Sequence, residues 1–172
     1  MQVREDIAAK ADVLRAQNRQ AVVVIATDGK PTDGSLGETL ATFHSLPVYV
    51  VVRLCTDNDS VHEYWQHVDE DELKDVAIQV DVLDDFEGEA KEVNDHNPWL
   101  NYSQPLHRAR EIGANHTVLD RLDDHTLTHG EMWEFMRLIF GWGSNGGANP
   151  ETCWGAFEAL LRANVNAAGK TW

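Results

Sequence analysis

Hydrophobic and polar positions follow two different rhythms along this chain, with the change near residue 93. Val3, Ile7, Ala11 and Leu14 recur at three- and four-residue spacing and predict a helix over residues 3–18. Ala21-Val22-Val23-Val24-Ile25-Ala26-Thr27 is then an unbroken apolar run, closed by Gly29 and Pro31, which reads as a strand covered on both faces. A polar loop over 28–35 leads to a short helix over 37–45 that buries Leu40 and Phe43. Val48 to Leu54 repeats the continuous apolar pattern. Ser60 with Glu63 three residues later has capping-box spacing, opening a helix that carries Val61, Tyr64, Trp65 and Val68. A third strand is expected over 76–83, and its alternation (Val76, Ile78, Val80, Val82) suits an edge position. Asp84 and Glu87 fit the start of another helix. Strand and helix thus alternate, the pattern of a parallel sheet with right-handed crossovers.

Past residue 93 the strand signal stops. Asn97-Pro98-Trp99-Leu100-Asn101-Tyr102 reads as extended, because a residue before proline avoids the helical region. Helices are expected over 105–112 and 116–122. Thr128 and Glu131 form a second capping box, opening an amphipathic helix to Phe140 that carries Trp133, Phe135, Met136 and Ile139. Residues 141–149 read as a flexible linker. Asn149-Pro150 has the cap-then-proline signature of a helix start, and the last helix is expected to reach residue 166. The expected organisation is a Rossmann-like α/β domain over 1–93, a three-layer sandwich, with a helical extension over 94–172 packed on it.

Length and composition agree with a soluble globular chain: 172 residues are enough for a real core, and 42% are hydrophobic. No apolar stretch approaches the ~20 residues of a membrane span, and the start, Met1 to Asp6, lacks a signal-peptide core. Cys55 and Cys153 stand far apart without metal-type spacing, which suits a reducing, cytoplasmic compartment. The formal net charge is −15, with acidic clusters at Asp69 to Glu72 and Asp81 to Glu89. Such a field repels phosphate backbones, so nucleic acid is not an expected partner. The acidic clusters read as solvated faces. His107-Arg108-Ala109-Arg110 is a local basic cluster whose default reading is pairing with the chain's own acids.

Candidate chemistry gathers where the first strand ends. Ligands of open α/β sheets bind beyond the carboxyl ends of their strands, and Asp28 holds that place. Asp28 and Asp33, with Thr27 and Thr32 nearby, are oxygen donors of the kind a hard cation such as Mg²⁺ prefers. The same carboxylates also suit simple turn hydrogen bonds.

Val22-Val23-Val24-Ile25-Ala26-Thr27-Asp28-Gly29, with Pro31-Thr32-Asp33 and the strand Val48 to Leu54, resembles the carboxyl-terminal half of a von Willebrand factor A domain. The resemblance implies a doubly wound sheet and protein–protein recognition through a bound Mg²⁺, without catalysis. It implies that Asp28 meets the metal through water. It does not extend to the family's first metal motif, Asp-x-Ser-x-Ser, or to the strand that precedes it. On this reading Asp28 and Asp33 hold metal, while Thr27, Gly29, Thr32 and Asp57 face the partner.

Without a first strand, Ala21 to Thr27 would stand at an open, apolar sheet edge, which is an aggregation hazard unless covered. A homodimer through this edge, or strands supplied by another polypeptide, is therefore expected. Two other functions fit the residues. One is a small hydrolase or transferase using Asp28 and Cys55 at neighbouring strand ends. The other is a half-domain active only once the missing strands are supplied. Gly141-Trp142-Gly143-Ser144-Asn145-Gly146 follows a helix rather than a strand, so it is not read as a nucleotide loop.

Overall fold

The computed structural model describes residues 2–32, 36–68, 78–141 and 149–168. They form a mixed α/β arrangement with one parallel sheet of three strands, β1 (Ala21–Thr27), β2 (Val48–Leu54) and β3 (Gln79–Leu83), in the order β1-β2-β3. The described helices are α1 (Gln2–Ala8), α2 (Ala11–Ala16), α3 (Leu36–Ala41), α4 (Asp59–His67), α5 (Phe86–His96), α6 (Gln104–Glu111), α7 (Thr117–Asp120), α8 (His129–Phe140) and α9 (Trp154–Ala168). No described helix is long and apolar enough to cross a membrane. The chain divides into two compact units, one of residues 1–92 with 101–115, the other of 93–100 with 116–172.

In the sheet unit, side chains alternate between two unlike faces. Val48, Val50, Val52 and Leu54 of β2, with Ala21, Val23 and Ile25 of β1 and Val80 and Val82 of β3, make an apolar face. Ile7 of α1, Leu40 and Phe43 at α3, and Val61 and Trp65 of α4 close over it. Both crossover helices lie on this one side, as right-handed connections between consecutive parallel strands require. The other face carries Tyr49, Val51 and Leu83, and α6 with the start of α5 covers it through buried charged residues. That pairing draws 101–115 into the sheet unit, beyond the boundary at 93 that hydrophobic pattern suggests.

Local differences from the sequence expectations have local causes. The first helix breaks at Ala9 and Lys10, where Lys10 N bonds to Ile7 O in a tighter turn, giving α1 and α2. The cap of α4 is Asn58, whose side chain accepts from Ser60 N at 3.0 Å, so Ser60 is inside the helix rather than at its cap. The Thr128–Glu131 capping box forms at α8 as expected, and Gly141 closes that helix in the left-handed conformation. Asn149 instead holds a turn, accepting from Glu151 N, and α9 begins only at Trp154.

In the helical unit, Val118, Leu119, Leu122, Leu127, Phe135 and Phe157 are buried. Trp99 meets Phe135 edge-on at 6.0 Å, and Trp154 tilts against Phe157 at 5.5 Å. Asn97 ties the unit together. Its fully buried amide donates to Leu122 O and His125 O and accepts from Leu127 N. Three backbone groups of one loop, which burial would otherwise leave unsatisfied, are met by a single side chain.

Candidate functional site

The register of β1 against β2 fixes what the sheet edge offers. Ala21 N donates to Pro47 O, and Thr27 O accepts from Cys55 N, so the odd-numbered residues of β1 turn their backbone groups toward β2. In a parallel ladder the alternate residues then turn both groups the other way. Val22, Val24 and Ala26 therefore present three N–H and three C=O groups along the outer edge. Among the described residues, no strand pairs with that edge. Their side chains lie on the charged-helix side of the sheet, where Val22 is 43% and Val24 46% exposed. The expectation that β1 is covered on both faces is thus corrected: only its odd-numbered side is packed. β2, with neighbours on both edges, is the strand that is buried throughout.

One contact does reach the open side. Gly113, following α6 with φ +86°, lies so close to Val22 that a Cβ there would stand 2.4 Å from Val22 Cγ1. Ile112, next to it in the chain, is 73% exposed.

At the carboxyl end of β1, Thr27 Oγ1 donates to Gly29 O at 3.0 Å and accepts from Gly29 N at 3.3 Å, closing a turn. Gly29 O also accepts from Trp65 Nε1 at 3.2 Å, and Lys30 Nζ sits 5.8 Å from the Tyr64 ring centre. This turn leaves Asp28 and Thr32 exposed. Asp57 and Cys55, also exposed, follow β2, next to β1's end because Cys55 N bonds to Thr27 O. Asp33 lies outside the described residues, as do Asp69 to Glu72 and Trp142. His62 Nε2 is 2.7 Å from Thr56 O and 3.5 Å from Asp84 Oδ1. Among the described residues, the ends of β1 and β2 gather no three carboxylate, imidazole or thiol ligands around one point. The described donors therefore do not compose a cation site by themselves.

Sequence reasoning missed the main polar cluster of the sheet unit. Arg110 of α6 donates from Nη1 to Glu89 at 2.7 Å and from Nη2 to Asp81 at 3.2 Å, all three buried. Tyr49 Oη donates to the other oxygen of Asp81 at 3.2 Å. Glu111 pairs with Arg53 and Arg108, and its Oε1 is 3.5 Å from His107 Nε2. His107 Nδ1 is 3.3 Å from Tyr102 Oη, with Phe86 edge-on at 5.6 Å. Burial holds the His107 pKa below its ordinary value; Glu111 opposes the shift, and Arg110, Arg108 and Arg53 reinforce it. Asp81 and Glu89, expected on a solvated face, are buried because Arg110 meets both, and Arg108 pairs with Glu111, so the self-pairing reading of the basic cluster is right. The available signal was twofold. Asp81 falls between Val80 and Val82 on the opposite strand face, and His107, Arg110 and Glu111 share one helix face. The cluster is a clamp for α6, with every charge opposed, rather than an open reactive site.

In the helical unit, His116, Glu134, Arg137, Leu138 and Gly141 line an open groove of about 340 Å³, with the Arg137 guanidinium 4.8 Å from the Trp133 ring centre. Comparison with known proteins finds no family model, curated protein or solved structure that matches this chain.

Proposed function

We propose that this chain is a non-enzymatic protein-interaction module that takes an extended strand of its partner onto the open edge of β1. One observation carries the reading: Val22, Val24 and Ala26 direct their backbone donors and acceptors away from β2, and no described strand meets them. Strand addition at such an edge gains affinity from main-chain hydrogen bonds and specificity from alternate side-chain contacts. Val22 and Val24 supply apolar contacts on one side of the added strand. Asp28 and Asp57, at the strand ends, would face the end of that strand. The clamp of Arg110 on Asp81 and Glu89 supports this use, because it holds α6 over β2 and β3 and leaves Val24 and Ala26 of β1 exposed.

The test is amide exchange on isotope-labelled protein with short, apolar, strand-forming peptides. Binding should slow exchange at the Val22, Val24 and Ala26 amides and leave Val23 and Ile25, already bonded to β2, unchanged. In a monomeric sample, peptides at millimolar concentration that neither shift nor protect these amides would remove the reading.

A further inference from the structure

Resting on that reading, we propose that the strand received at this edge is β1 of a second copy, paired antiparallel about a two-fold axis through Val24. The alternation of outward groups permits such a pairing without adjustment. With Val24 opposite Val24, Val22 falls opposite Ala26 of the second copy and Ala26 opposite Val22. Every outward-facing residue then becomes a hydrogen-bonded pair of an antiparallel ladder. The interface is self-complementary, as a two-fold contact must be. It joins two three-stranded sheets into one of six strands, with parallel halves and an antiparallel centre.

Charge selects this orientation in a chain whose net charge of −15 opposes self-association in general. The amino end of β1 is basic: Arg15, Asn18, Arg19, Gln20 and Pro47 line an open cavity of about 440 Å³ there. Asn18, at φ 51°, turns the chain so that Arg19 and Gln20 lead directly into the strand. The carboxyl end is acidic on balance, with Asp28, Asp57 and Asp59 exposed against the cation Lys30. Antiparallel pairing sets Gln20 opposite Asp28 of the second copy and Arg19 opposite Gly29, so the basic end of each strand lies over the acidic end of the other, twice per dimer. A parallel pairing would set Arg19 beside Arg19 and Asp28 beside Asp28. Across the axis the exposed Val24 of each copy would meet its counterpart, and the exposed Val22 of each would meet Ala26 of the other, on one side of the joined sheet.

The experiment is light scattering on the full chain together with disulfide trapping in a Cys55→Ser, Cys153→Ser background. Wild type should show twice the chain mass. Val24→Cys should form a reducible covalent dimer on oxidation, since paired Cα atoms ~5.5 Å apart suit a disulfide. Val22→Cys alone should not, whereas Val22→Cys with Ala26→Cys should. Asp28→Arg should weaken association by roughly tenfold or more, because it sets like charges at both ends of the pairing, and Arg19→Glu added to it should recover part of the association. A monomer at every concentration, with peptides still protecting the edge amides, would overturn the second copy and leave the docking reading standing. A monomer whose edge amides no peptide protects would overturn both. A dimer that traps through Val22→Cys as readily as through Val24→Cys would overturn the two-fold pairing.

Discussion

Arg110 and Glu89 meet over 2.7 Å with side chains only 1% and 2% exposed, so a fully formed ion pair stands inside the sheet unit rather than at its surface. The guanidinium reaches Asp81 from its other terminal nitrogen, and one fork thereby bridges the middle of β3 and the start of α5. Removing the cation leaves two carboxylates buried without it. Arg110→Met is expected to destabilise the protein by about 3–5 kcal/mol, the usual cost of breaking a buried pair. Arg110→Lys should recover only part of this, because an ammonium cannot span both carboxylates. Urea denaturation followed by circular dichroism checks both, and an Arg110→Met loss below 1 kcal/mol would contradict the clamp.

The same cluster makes stability depend on pH through His107. Its folded pKa is lowered by burial, so between 6.5 and that lower value the unfolded chain binds a proton the folded chain refuses. Stability is complete above pH 6.5 and falls as the pH drops below it. Melting curves from pH 7.5 to 5 should show that decline, and His107→Gln should flatten it. An unchanged slope in His107→Gln would place the titration elsewhere.

Acid acts on the helical unit by a different route. Glu131 is held down to about 2 from its ordinary 4.5, first by the Thr128 backbone N–H, next by the Thr128 hydroxyl, with Arg121 assisting. A carboxylate with a lowered folded pKa stabilises above 4.5 and loses that contribution as pH falls toward 2. Glu131→Gln should reduce stability at pH 7 and narrow its gap from wild type by pH 2. Thr128→Ala, which removes the cap, should cost about 1 kcal/mol at neutral pH in the same denaturation assay.

Gly113 should tolerate no side chain. With φ +86° and Val22 Cγ1 2.4 Å from a would-be Cβ, Gly113→Ala combines backbone strain with overpacking and should cost on the order of 2–4 kcal/mol. Adding Val22→Ala should return the overpacking part and leave the strain. If the double variant is no more stable than Gly113→Ala, the Val22 contact is not the source.

Sequence and structure agree most closely where the determinants are local. β1 and β2 occupy Ala21–Thr27 and Val48–Leu54, the runs that β-branched apolar residues mark out, and the Thr128–Glu131 box opens α8 as its spacing demands. Disagreement begins where a distant partner decides. Val22 and Val24 look as buried as Val50 and Val51 in sequence, yet only β2 has neighbours on both edges. Asp81 and Glu89 look solvated until Arg110, 29 and 21 residues away, is brought to them by α6. At the candidate site, Asp28 stands at the strand end as its position in an α/β sheet implies. The open edge beside it was legible only as a missing neighbour.

Asn97 bears on how this chain ages. Asparagine side chains degrade when the backbone N–H of the following residue attacks the amide carbonyl and closes a five-membered imide. The residue after Asn97 is Pro98, which has no N–H to attack with. The amide that binds Leu122 O, His125 O and Leu127 N is therefore shielded, by the covalent structure of its neighbour, from the reaction that would convert it to an acid. A buried carboxylate in its place would face two carbonyl oxygens and repel both, so the proline preserves the loop over the lifetime of the protein, as the amide preserves it at each instant.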